Sequence, residues 1–539
     1  MSKSRTVKKR LSKEAKKEAR AKVMNVLLNV WLHIRIVIDY VIDFVFGWYY
    51  ADKQVKIPAA ADQVVCESAV DIAASIRKGE RRAEDILNAY IRRIEVVNGI
   101  INAVTDRRFE TALEEARQID RDIADGKINE ATWQKKPFLG VPFSTKESTA
   151  CKGLLHSFGM VSRKGMCAED DADVIKLMKE SGAILIANTN IPEFNLWQES
   201  RNNVYGQTLN PYNTTRTTGG SSGGEAALIA ACGTGFGIGT DIGGSIRMPA
   251  FFCGIFGHKP TSYLISTKGL SRRTGKEKHT MVVAGPMTRH AKDLAPLLKV
   301  LVGSNIDKLK LDTSVDVSSL KYFYVEESKD PRVSSVCIEL RQLMRRVVNQ
   351  LMDESPDVED KVTDLEVPDL QYSTRLWLYW MTQEPSKFAY ELANREGEVS
   401  AWTELLKTLI GQSQFSLAAV IKLIADKLFK ENEQWAQEVT ASLRRQLLEI
   451  LGDNGVLLYP SYTWPASYHY TAFLRPFNFS YWCIFNVLQF PVTQVPLGLS
   501  KDGLPMGIQV VSAPYNDHLC IAVAEHLEKI FSGYVPPFQ

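Results

Sequence analysis

The sequence predicts an α/β layered domain, on three observations. Short apolar segments with the length of buried strands recur at 138–143, 183–187, 235–240, 456–459, 491–496 and 507–512. Helical periodicity fills the intervals between them, running from Ser68 to about Ala124 with few breaks and again over most of 304–452. A glycine-rich stretch at 219–224 opens directly into the apolar helical run 225–232. Strands alternating with helices stack as sheet and helix layers over a shared core.

Composition narrows the class. At 539 residues, 45% hydrophobic and 24% charged, the chain reads as a globular enzyme of one large domain or a few ordinary ones. A net charge of +3 gives no footprint for nucleic acid, so no nucleic-acid partner is expected. The eight cysteines include no C-x-x-C pair, which fits free thiols better than a disulfide frame or a zinc site. No metal is expected.

The N-terminal region is uneven. Residues 1–22 form a basic tail with ten Lys and Arg against Glu14 and Glu18. The segment 23–50 is largely apolar and, as a helix, would extend about 42 Å. Arg35, Asp39 and Asp43 interrupt it at i, i+4 and i+8, on one stripe with Asn25, Asn29 and His33 on the same half. Val30, Ile34, Val37, Ile38, Val41 and Val45 lie on an opposite, wholly apolar half. Such a helix suits a membrane interface, its basic tail drawn to anionic lipid. A spanning helix also fits, if Arg35 pairs with Asp39 and the polar stripe faces a partner. Packing on the protein's own body is the third reading. Residues 51–64 read as a linker to a domain over 65–530.

The chemistry concentrates in three segments. Gly219-Gly220-Ser221-Ser222-Gly223-Gly224 and Gly239-Thr240-Asp241-Ile242-Gly243-Gly244-Ser245 place two serines in glycine turns, 24 residues apart. Upstream, Lys146 follows an apolar segment. Backbone N–H groups of Ile242, Gly243, Gly244 and Ser245 can converge on an oxyanion, and a hydroxyl beside them can attack a carbonyl. A second hydroxyl can relay the proton to a lysine that burial keeps neutral. Taken singly, the motif around Ser245 also fits a glycine bend with a surface serine, and Lys146 an exposed partner of Glu147. Competing motifs fail on context. Gly219–Gly223 satisfies G-x-S-x-G, but a polar loop precedes it instead of a strand. Neither the G-x-G-x-x-G nor the phosphate-loop spacing is met elsewhere.

These three motifs, in order and spacing, resemble the amidase signature family. Further matches occur at Asn190-Ile191-Pro192-Glu193-Phe194, Gly257-His258-Lys259-Pro260-Thr261, Gly285-Pro286-Met287 and 503–509. The resemblance covers about residues 65–530. It implies an α/β/α sandwich around a mixed, twisted sheet, with Ser245 as acyl nucleophile, Ser221 as bridging serine in a cis peptide and Lys146 as base. No cofactor is implied. Glu225, Ile242 and Arg247 resemble the fatty-acid amide hydrolases, the second type with an N-terminal apolar segment in particular. That implies a fatty acyl amide substrate and contact with membrane lipid. It also implies an endomembrane location, endoplasmic reticulum or lipid droplet, held through the N-terminal helix. A homodimer is left open. Asn188 and Gln489 depart from the family pattern, where lysine and glycine are usual.

Residues 403–430 read as two short amphipathic helices broken at Gly411 and flanked by Lys407, Lys422, Lys427 and Lys430. They resemble the membrane-cap helices of fatty-acid amide hydrolases, although an ordinary core-packed pair has the same pattern. Alternative functions are the amidase subunit of a tRNA-dependent amidotransferase, a small aryl-amide or acetamide amidase, and a catalytically silent membrane scaffold.

Overall fold

The computed structural model describes residues 30–354 and 361–538. The basic tail and the first residues of segment 23–50 lie outside them. The described residues form thirteen strands: β1 (Val104–Arg107), β2 (Pro142–Lys146), β3 (Ile184–Thr189), β4 (Arg201–Asn202), β5 (Gly206–Gln207), β6 (Phe236–Asp241), β7 (Phe256–Lys259), β8 (Val283–Thr288), β9 (Lys321–Tyr324), β10 (Val362–Asp364), β11 (Gly455–Pro460), β12 (Val492–Leu499) and β13 (Pro505–Ser512). Eleven make one mixed sheet in the order β1-β3-β2-β6-β8-β7-β12-β13-β11-β9-β10, and β4 and β5 form a separate hairpin. Strands β2, β3, β6, β7 and β8 are buried along their whole length, as expected of a sheet covered by helices on both faces.

Five of the six expected strands occur, with shifted ends. The first is displaced: 137–140 is a turn, and the strand begins at Pro142 and carries Lys146 as its last residue. Strands β1, β7, β8, β9 and β10 had no period-2 signal. Strands β7 and β8 carry glycine, and β8 proline too (Gly257, Gly285-Pro286), residues depleted in strands; the glycines allow close approach, since a Cβ at Gly285 would overlap the carbonyl oxygen of His258. The helical region after Ser68 divides into Ala69–Arg77, Ala83–Ile101 and Phe109–Ala124, with β1 between the last two.

The sheet positions the chemistry. β2 runs parallel to β3 and to β6, so their C-terminal ends share one edge. Sites form at such edges because loops leave the strands there together. The helix Gly223–Ala230 packs against β2, β3 and β6 and is buried on every side. Gly224 permits this approach, since a Cβ there would lie 2.5 Å from the backbone of Asn190.

Residues 30–50 are helical. Among the described residues no helix is long and apolar enough to cross a membrane, so the expectation of a spanning helix is not supported. The polar stripe faces the protein itself. Arg475 pairs through Nε with Asp39 Oδ1 at 2.8 Å and through Nη1 with Asp43 Oδ1 at 2.9 Å, and Arg35 pairs with Asp39 at 3.5 Å. Trp31 Nε1 donates to Pro331 O at 2.8 Å, and Tyr50 stacks on Tyr468. The apolar half points outward: Val37 is 61% exposed, Phe44 77% and Trp48 79%. Buried charge against the body with apolar surface left to solvent is the reverse of a helix packed by its hydrophobic face.

The 403–430 expectation resolves into helices Ala401–Leu409 and Leu417–Leu428, with Gly411 in the left-handed region at φ +71° between them. Ser400 and Ser416 cap them by accepting from the amides of Thr403 and Ala419. Their inner sides pack with Phe158, Phe388 and Leu392, while Leu406, Leu409, Ile410, Leu428 and Phe429 are exposed.

Candidate active site

Lys146, Ser221 and Ser245 come from the ends of β2, the loop before Gly223–Ala230 and the loop after β6. The structure gathers them at one cavity, with Ser221 and Ser245 on its wall and Lys146 buried behind Ser221. Lys146 Nζ lies 2.7 Å from Ser221 Oγ and 2.9 Å from Thr240 Oγ1. Ser221 and Ser245 line the same cavity of about 430 Å³, and the amide of Ser222 donates to the carbonyl of Ser245 at 3.1 Å. The peptide bond Gly220–Ser221 is cis.

Lys146 is fully buried, and burial pushes its ammonium down to about 7, against the opposing pull of Asp241 and Glu225. A neutral amine between two hydroxyls can donate to one and accept from the other, so it can draw a proton from Ser221. The reading of Lys146 as the exposed partner of Glu147 fails. Glu147 is also buried, and its carboxylate accepts from the amides of Ser157 and Phe158.

The loop after β6 is held from beneath by a carboxylate. Asp241 Oδ1 accepts from the amide of Gly244 at 2.7 Å and Oδ2 from Ile246 at 3.0 Å. Arg247 clamps both oxygens at 3.1 Å and reaches Gln509 Oε1 and Asn486 Oδ1. Burial disfavours the Asp241 carboxylate, but the Arg247 guanidinium and these amides hold it well below the usual range. Gly244 sits at φ +118°, and a Cβ would meet Trp482 at 2.5 Å, so only glycine fits. Trp377 Nε1 donates to the carbonyl of Ile242 at 2.8 Å. With the Gly244 amide engaged by Asp241, the donors left for an oxyanion among the four expected are Ile242, Gly243 and Ser245.

Sequence reasoning gave no role to Thr240, Asp241, Asn486 or Gln509. Thr240 and Asp241 had a local signal, standing directly before Ile242-Gly243-Gly244. Asn486 and Gln509 had none, because more than 230 residues separate them from Arg247. Glu225, read as a mark of resemblance, is buried, acts electrostatically on Lys146 and accepts from the hydroxyls of Ser144 and Thr189, the latter at 2.7 Å. Burial pushes its carboxyl up to about 7. Asn188 is structural, its amide donating to Leu155 O at 2.9 Å. Gln489 occupies φ +65°, where glycine would bear no Cβ penalty.

A second cavity, of about 310 Å³, also reaches Ser245 and is almost wholly apolar, with Met248, Trp377, Phe477, Phe479, Ile421 and Phe429 on its walls. Among the described residues no group of His, Cys, Asp and Glu is arranged to hold a metal ion.

Known proteins share this arrangement of sequence and fold. The amidase family model matches residues 85–521. Fatty-acid amide hydrolase 2 of Homo sapiens is 41% identical over 87% of this chain and 90% of its own. Fatty-acid amide hydrolase 2-B of Danio rerio is 40% identical over 89% and 92%. Among solved structures, one of fatty acid amide hydrolase superposes with a TM-score of 0.70 at 21% identity, covering 88% of this chain and 86% of that one; it speaks for the fold. The chain therefore belongs to the amidase family and is a carbon–nitrogen amide hydrolase.

Proposed function

We propose that this amidase cleaves long-chain fatty acyl amides to free acid and amine, with Ser245 as nucleophile, Ser221 as proton relay and Lys146 as base. The observation that carries the substrate class is the apolar cavity. It has Ser245 on one wall and reaches Ile421 and Phe429, beside the exposed apolar side of the helix Leu417–Leu428. An acyl chain entering there would place its carbonyl at the serine. The other cavity, which also reaches Ser221 and Ser245, carries Arg273, Glu384 and Lys427 beside apolar Phe194, Leu196 and Phe388, so it has polar groups to meet the amine side. The names of relatives about 40% identical over most of the chain support the same substrate class.

In this mechanism neutral Lys146 takes a proton from Ser221 as Ser221 takes one from Ser245. Ser245 Oγ attacks the amide carbonyl, and the oxyanion is met by the amides of Ile242, Gly243 and Ser245, each donor worth about 3 kcal/mol. The proton returns through Ser221 to the nitrogen, which must be protonated to leave. Water then hydrolyses the acyl-enzyme along the reverse path. Asp241 and Arg247 keep the loop in shape throughout.

The test is a series of acyl amides with one amine and chains from two to eighteen carbons. Each methylene that enters the apolar cavity contributes about 0.8 kcal/mol, so kcat/KM should rise roughly fourfold per carbon until the cavity is filled. A flat series would overturn the reading in favour of a small-amide hydrolase.

We further propose that the exposed apolar half of helix 30–50 lies in a membrane interface, together with Leu406, Leu409, Ile410 and Phe429. The clamp of Arg475 on Asp39 and Asp43 turns that half outward. Replacing Phe44 and Trp48 by Asp should lower flotation with anionic vesicles at least tenfold, since each buried aromatic contributes about 2 kcal/mol. Flotation equal to the unaltered protein would exclude this contact.

A further inference from the structure

Two cysteines far apart in the chain meet at the back of the catalytic helix. Cys66 closes the turn Gln63–Cys66 and is partly accessible to solvent; Cys232 follows the helix Gly223–Ala230 and is buried. Their sulfurs are 3.4 Å apart across 166 residues of sequence. The Tyr534 hydroxyl lies 3.4 Å from Cys232 Sγ on another side.

The surroundings are cationic. Arg93 donates through Nε to Ala231 O at 2.7 Å, and Arg289 through Nη1 to Thr234 O at 2.6 Å and to Ile229 O at 3.0 Å. Neither guanidinium is ion-paired with a carboxylate among the described residues, and Arg93 Nη2 and Arg289 Nε are buried without a hydrogen-bond partner. Two buried positive charges that lack a carboxylate favour an anion between them, and of the acidic groups at hand, the thiols of Cys66 and Cys232 and the phenols of Tyr90 and Tyr534, a thiol ordinarily ionises first.

We propose that Cys66 and Cys232 form a redox-active pair that a peroxide converts to a disulfide, separate from the amidase triad. Burial works against a thiolate at Cys232, but its hydrogen bond with Cys66 and the Arg289 charge bring it below the ordinary thiol range. At Cys66 the same hydrogen bond, with burial, pushes the thiol up. Cys66, the accessible member, meets the oxidant, and the Cys232 thiolate accepts its proton as it attacks, so that the attacking sulfur is a thiolate. The Cys66 thiolate attacks one peroxide oxygen, the O–O bond breaks, and Cys66 becomes a sulfenic acid while the second oxygen leaves as hydroxide, which takes the proton back from Cys232 and departs as water. The Cys232 thiolate then attacks Cys66 Sγ, the S–O bond breaks, and the hydroxide that leaves is protonated by solvent to a second water. Two electrons pass from the sulfurs to the peroxide. The remaining buried cysteines at 151, 253, 337, 483 and 520 have burial pushing their thiols up and, among the described residues, make no hydrogen bond to another cysteine, so they are not expected to form a disulfide.

The experiment uses the full chain carrying Cys167→Ser, which removes the exposed thiol. Hydrogen peroxide treatment, alkylation and unreduced peptide mapping should yield a peptide joining Cys66 to Cys232 and two fewer titratable thiols. Dithiothreitol should restore both. Cys66→Ser, on the more accessible side, should abolish the linkage and the loss of thiols, and it serves where Cys232→Ser fails to fold. The proposal is overturned if Cys66 is recovered alkylated or as sulfinic acid with no linkage, or linked to any cysteine other than Cys232.

Discussion

Ser245→Ala should abolish covalent labelling by a fluorophosphonate and lower kcat/KM for a fatty acyl amide by about 10^4-fold or more, the loss typical when a serine nucleophile is removed. The remaining groups cannot substitute. Ser221 is tied at 2.7 Å to Lys146 in the loop before the helix Gly223–Ala230, while Ser245 sits in the loop that also carries the proposed oxyanion amides. The loop keeps its shape with Ala in place, because Asp241, itself clamped by Arg247, holds it through the backbone amides of Gly244 and Ile246. Melting should therefore change little. A variant still labelled covalently at Ser221 would show that the nucleophile is misassigned.

Lys146→Ala should slow amide hydrolysis by about 10^3-fold and a matched ester at least tenfold less. Both reactions lose the base that activates Ser245. Only the amide also loses the acid, because an alkoxide departs far more readily than an amine anion. The pH profile reads the same group. With its ammonium pushed down to about 7, Lys146 is protonated below neutrality, so kcat/KM should rise with pH and reach half its plateau near pH 7. That limb should vanish in Lys146→Ala. Equal losses on amide and ester, or an unchanged acid limb, would contradict the double role. Fourth-power rate losses at Ser245 and third-power losses at Lys146 correspond to about 5.5 and 4 kcal/mol, large against the few tenths expected of surface changes.

Much of the site was legible because its chemistry is local. Glycine runs beside serine mark backbone turns wherever they occur, and the run 225–232 is apolar enough to be read as a buried helix. Helices 401–409 and 417–428 were legible from spacing and from Gly411. Strands β7 and β8 were not, since their residues are poor strand formers and become strands through pairing with β6 and β12. The N-terminal helix shows the same limit. Its amphipathic pattern was plain, yet the pattern does not say which half meets the body. Arg475, over 430 residues away, turns the charged stripe inward and leaves Phe44 and Trp48 outside.

What the sequence alone determined is the layered α/β class, the amphipathic character of the two apolar segments and the candidates for the reactive groups. Each depends on residue type and short spacing, which the chain states directly. Tertiary structure alone decided that Lys146 is buried, that Asp241, Arg247, Asn486 and Gln509 brace one loop, and that Cys66 touches Cys232. Those facts come from strands β2, β6 and β13, with the helices that carry Arg247 and Asn486 and the turns that carry Cys66 and Cys232, being packed together across hundreds of residues. Burial and long-range contact set protonation and orientation, and neither is encoded in any local window of sequence.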